Sequence, residues 1–87
     1  MNIIKFKVKV EKIRNLIKDQ IREQARSFKL SKKSLIYLTT INMVDWYCNS
    51  FFIDGDYTVQ SFRVLTQDLR KIAASLPVLV LEDYYAT

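Results

Sequence analysis

Ile4-Lys5-Phe6-Lys7-Val8-Lys9-Val10 is a run in which apolar and basic residues alternate without a break. A period of two belongs to an extended strand with one buried face. The run therefore predicts a β-strand with Ile4, Phe6, Val8 and Val10 turned inward and Lys5, Lys7 and Lys9 forming a basic ridge. Lysines on an edge strand also block edge-to-edge aggregation, the reading that asks least of them. The strand decides the fold class. With it the chain is α+β and mostly helical, with a short basic N-terminal strand followed by three helices.

After Val10 the period changes. Ile13, Ile17, Ile21 and Ala25 recur every four residues with Leu16 and Phe28 beside them, which marks an amphipathic helix over 11–28. A second ladder, Arg14, Lys18, Arg22 and Arg26, has the same spacing, and like charges four apart cost a helix a few tenths of a kcal/mol per pair. The compensating charge is internal, in Glu11, Asp19 and Glu23, or external, in a polyanion.

Ser31 or Ser34 can cap the next helix, which runs from Leu35 to about Asn49. Leu35, Leu38, Ile41, Val44 or Asp45, and Tyr47 or Cys48 mark its turns, and Ile36, Tyr37, Met43 and Trp46 spread apolar surface over nearly every face. Such a helix is either the centre of the monomer's core or the seam of a dimer. Asp54-Gly55-Asp56 contains the chain's one glycine and reads as a turn. A calcium loop starting at Asp54 would need an acid at its twelfth position, where Leu65 stands. Asp56 or Thr58 caps a third helix over Val59–Ser75, with Val59, Phe62, Leu65, Leu69, Ile72, Ala73 and Leu76 on one stripe. Pro77 should end it. The apolar run Val78–Leu81 then adds a short C-terminal strand or packs on the core. With neither linker nor repeat, residues 1–87 form a single domain.

Composition narrows the chemistry. One cysteine forms no internal disulfide, and a chain without histidine builds no zinc site of the usual kind, so a reducing cytoplasm without metal or cofactor is the expected setting. Lys5, Lys7 and Lys9 interrupt the N-terminal apolar residues too early for a signal peptide, and Leu35–Ile53 is too polar to span a membrane. One glycine cannot make a phosphate-cradling loop, and Cys48 has no basic neighbour to activate it. No catalytic residues are assigned, and the chain reads as a non-enzyme.

What remains is charge. Eleven of the fourteen basic residues lie in the first 33 positions against three acids, giving that segment +8 while the remainder carries −3. Such asymmetry points to an anionic partner. Within the basic segment, residues 21–35, IREQARSFKLSKKSL, place Ala25 six residues before Ser31, Leu30 just before that serine, and Leu35-Ile36 after it. In this order they resemble the first-helix end, turn and second-helix start of ribbon-helix-helix DNA-binding proteins, a likeness covering residues 4–46. The resemblance implies an intertwined homodimer whose paired N-terminal strands lie in the DNA major groove. It also implies that Lys5, Lys7 and Lys9 read bases while Ser31, Lys32 and Lys33 grip phosphate.

The expected function is thus a small DNA-binding regulator contacting DNA through Lys5, Lys7, Lys9, Arg14, Lys18, Arg22, Arg26, Lys29, Ser31, Lys32 and Lys33. The alternative is a protein-binding inhibitor or adaptor that adds aromatic anchors from Tyr37, Trp46, Phe51, Phe52, Tyr84 and Tyr85, since aromatics and arginine dominate interface hot spots. A basic amphipathic helix lying on an anionic membrane is a weaker third reading, because the first helix lacks tryptophan.

Overall fold

In a computed structural model, which describes the backbone of residues 2–54 and 57–86 and their side chains except at 53, 54, 85 and 86, residues 4–10 are helical. They open a helix, α1 (Ile3–Ser27), and the expected N-terminal strand is not formed. An alternation of period two contains pairs four apart, and the pair Phe6 and Val10 falls in register with Ile17, Ile21 and Ala25 farther along. A single helix buries all five. Ile4 and Val8, which a strand would have turned inward, are 69% and 49% exposed. Asn2 starts the helix, its side chain accepting the Ile4 N–H at 2.7 Å and its carbonyl the Phe6 N–H at 2.9 Å.

The second helix, α2 (Leu35–Asp54), and the third, α3 (Val59–Ala86), are both longer than the sequence pattern suggests. Pro77 does not end α3, and Val78–Leu81 is helical rather than a C-terminal strand. An interior proline removes one backbone hydrogen bond and crowds the preceding turn, at about 3 kcal/mol. The apolar stripe nevertheless continues across it, from buried Leu76 to Val80, which packs on the core. Tertiary packing outweighs the local penalty. No strand occurs among the described residues, so the fold is all-helical and not α+β.

The three helices pack pairwise around one core. Their directions follow from a cluster centred on Phe6, whose ring meets Phe51 (6.4 Å) and Phe52 (6.4 Å) from the end of α2. Tyr57 (5.2 Å) and Phe62 (6.2 Å), at the start of α3, complete the cluster. The beginning of α1 thus lies against the end of α2 and the start of α3, an up-down-up arrangement. The extents, 47 × 18 × 17 Å, describe a rod a little longer than α3, whose 28 residues span about 42 Å.

Below the aromatic cluster the core comprises Ile17 and Ile21 of α1, Val44 and Cys48 of α2, and Leu65, Leu69 and Leu76 of α3. Thr40 is also buried, its hydroxyl donating to the Ile36 carbonyl at 2.8 Å. The inward face of α2 therefore follows Thr40, Val44 and Cys48, while Leu35 and Leu38 point outward at 79% and 42% exposure. Burial pushes the Cys48 thiol above its ordinary pKa, so it stays protonated and inert at neutral pH. Tyr47 ties α2 to α3 by donating its hydroxyl to Asp68. Burial first, then that hydrogen bond and the carboxylate charge, raise its pKa to about 12. Of the Asp54–Asp56 turn, Gly55 and Asp56 lie outside the described residues. Thr58 caps α3, its Oγ1 accepting the Ser61 N–H at 3.0 Å.

Candidate nucleic-acid interface

The end of α1 builds the most distinctive surface. Lys29 has φ 57°, in the left-handed region that a residue with a Cβ enters at a cost of roughly 1–2 kcal/mol. Two backbone bonds hold it there: the Lys29 N–H donates to the Arg26 carbonyl at 3.0 Å, and the Leu30 N–H reaches back to the Ala25 carbonyl at 2.9 Å. Together they form a Schellman cap, which reverses the chain and brings Leu30 over Ala25. Ser31 then tightens the turn by accepting the Lys33 N–H at 3.1 Å, while Ser34 Oγ accepts the Tyr37 N–H at 3.5 Å. Of the two serines, Ser34 caps α2.

This turn closes one end of the furrow between α1 and α2, leaving an open groove of about 330 Å³ lined by Arg22, Ala25, Arg26, Leu30, Lys32 and Tyr37. Its floor is apolar and aromatic, and its rim holds three cations. Lys29 and Lys33, both exposed, extend the positive surface around the turn. The first turn of α2 adds N–H groups that the helix leaves unused. Arg22 and Arg26 are steadied by Asp19 at 2.7 Å and Glu23 at 2.9 Å, three residues earlier in each case. Exposed pairs of this kind contribute only tenths of a kcal/mol, so a phosphate can displace the carboxylates at little cost.

The eleven expected contacts thus divide into three groups. Arg22, Arg26, Lys29, Ser31, Lys32 and Lys33 gather at the turn. Arg14 and Lys18 instead face α2, where Lys18 Nζ lies 3.0 Å from Asp45 Oδ2 and Arg14 Nε lies 3.9 Å from Asp45 Oδ1. Arg14 also donates to Asn49 at 2.9 Å and pairs with Glu11 at 3.4 Å. Asp45 is the internal counter-charge that sequence reasoning missed; as the one acid within a long uncharged run, it was the available signal. The basic ladder is therefore divided among Glu11, Asp19, Glu23 and Asp45.

Lys5, Lys7 and Lys9 make up the third group, at the other end of α1. In a helix, side chains two apart point roughly 200° from one another, so Lys7 leaves the face that Lys5 and Lys9 share and the three form no common ridge. Lys7 lies 5.8 Å from the Phe52 ring centre on α2 and Lys9 lies 6.0 Å from that of Phe62 on α3, while Lys5 is exposed. Some twenty residues of helix, about 30 Å, separate them from the turn.

The aromatic candidates are scattered as well. Phe51 and Phe52 pack on Phe6, Tyr37 lines the groove, and Trp46 and Tyr84 are 70% and 73% exposed. The side chain of Tyr85 lies outside the described residues. Among the described residues no group of three or more metal-ligating side chains is gathered, and no helix is long and apolar enough to cross a membrane. No protein-family model, curated protein or solved structure matches the chain.

Proposed function

We propose that this chain is a small, non-enzymatic DNA-binding regulator that grips the phosphate backbone with the turn end of α1 and α2. The observation carrying this reading is the convergence of Arg22, Arg26, Lys29, Lys32 and Lys33 around one open groove at a helix N-terminus. Ser31 and the α2 N–H groups supply neutral donors, and Arg22 and Arg26 supply planar guanidiniums suited to two-point contact with an oxyanion. The ribbon implied by the resemblance is not part of this proposal, because its strand residues are helical. Phosphate capture by Ser31, Lys32 and Lys33 at the start of the second helix is retained. Three of the five cations are lysines, so affinity should be mainly electrostatic and weakly selective for sequence. The buried free thiol of Cys48 suits a reducing compartment such as the cytoplasm.

Fluorescence-anisotropy titration of labelled duplex DNA at several salt concentrations tests this. Five engaged cations predict a log–log slope of about −4.5 against salt. Absence of binding at low salt would refute the proposal. The alternative protein-binding module has less to work with, since Phe51 and Phe52 are engaged in the aromatic cluster; its remaining support is Trp46 and Tyr84, both exposed, and Tyr37 in the groove.

A further inference from the structure

The solvent face of α2 is uncharged. Between Leu35 and Asp54 the only charged residue is Asp45, which is turned toward Arg14 and Lys18. The outward positions are Leu35, Leu38, Thr39, Asn42, Met43 and Trp46, and the four apolar ones are 79%, 42%, 44% and 70% exposed in that order. Water-facing helix surfaces ordinarily carry charge, and in this chain 26% of residues are charged. From the exposed fractions, the apolar patch amounts to roughly 500 Å², at the upper end of what monomers leave uncovered.

We infer that this face is the seam of a homodimer in which two α2 helices cross antiparallel at Asn42, with Trp46 of each copy packed on Leu38 of the other. Charge selects the occupant. At +5, two copies repel overall and most strongly where their basic segments meet, whereas this face meets itself without opposing like charges. A strongly charged partner would find no complementary group on it.

Geometry supports the same occupant. Thr39, Asn42, Met43 and Trp46 stand at i, i+3, i+4 and i+7 and enclose a shallow hollow of about 260 Å³. Four residues at that spacing form the hole that receives a knob from a facing helix. A two-fold axis through Asn42 sets Asn42 of one copy into the hole of the other and exchanges positions 46 and 38, so the large ring meets the leucine twice. The paired asparagines hydrogen-bond and fix the register, the role a single buried Asn plays in helix pairs. With the polar positions included, the buried area lies at the low end of specific interfaces, which predicts micromolar association.

Sedimentation velocity of the full chain without nucleic acid, from low micromolar upward, tests the seam independently of DNA binding. The wild type should pass from a 10.3 kDa monomer to a dimer. Trp46→Lys and Leu38→Glu should each remain monomeric with unchanged far-ultraviolet dichroism. Mixed, they should form a heterodimer, because one contact becomes a lysine–glutamate pair while the other stays native. A wild type monomeric throughout, variants that still dimerise, or a mixture that fails to associate would each overturn the inference. Should either variant unfold, the chain's one tryptophan still reports in the wild type: a red shift of its emission on dilution supports the seam, and an unchanged emission overturns it.

Discussion

Lys29 shows how one side chain can serve two ends at once. It occupies a backbone position that favours glycine, and it adds an exposed cation to the turn beside the groove. Lys29→Gly should therefore raise unfolding free energy by about 1 kcal/mol in urea titration. The same substitution should lower the salt slope of DNA binding by about 0.9, the loss of one phosphate contact. Gain of stability with loss of affinity is the signature expected of a residue kept for binding. Tyr47 supports a second prediction at this scale. Its pKa rises from 10.0 to about 12 in the folded chain, chiefly through burial and then through Asp68. The folded state holds that proton more tightly, so its stabilisation is full below pH 10 and is lost as pH rises through 12. Thermal melts should show a steeper alkaline decline for the wild type than for Tyr47→Phe, and phenolate absorbance should contain one component titrating near 12.

At the scale of elements, the helices over residues 11–28, 35–49 and 59–75 were legible because their apolar residues recur at helical spacing. The two ends of the chain were not, for different physical reasons. Seven alternating residues at 4–10 fit a strand and also, through Phe6 and Val10, a helix; only packing against Phe51, Tyr57 and Phe62, distant in sequence, chooses between them. Asn2, whose cap begins α1, stands before the run and carries no period of its own. At the other end, Pro77 is a local stop signal overridden by burial on both sides of it, at Leu76 and Val80. Pro77→Ala should then restore a helix hydrogen bond and stabilise the fold by roughly 1–3 kcal/mol, read as a shift of the urea midpoint. A midpoint unchanged or lowered would mean that the proline fits a bent helix without penalty.

For the whole molecule, the sequence disclosed the sign and the location of the charge but not its distribution in space. Eleven cations in 33 residues looked like one surface. The fold separates them: Arg14 and Lys18 serve helix packing through Asp45, Lys5, Lys7 and Lys9 stay at the far end of the rod, Lys12 lies exposed between the ends of α1, and Arg22, Arg26, Lys29, Lys32 and Lys33 gather at the capped turn. Which cations meet depends on Asp45, the one acid in a long uncharged run, and on the Schellman reversal, which has no charge pattern to announce it. The most direct measurement compares the salt slope of DNA binding for two triple variants of equal charge, Lys29, Lys32 and Lys33→Gln at the turn and Lys5, Lys7 and Lys9→Gln at the far end. The turn variant should lose about 2.7 from the slope, three phosphate contacts, and the other should keep nearly the wild-type value. The reverse result, or equal losses from both, would contradict a DNA grip seated at the turn.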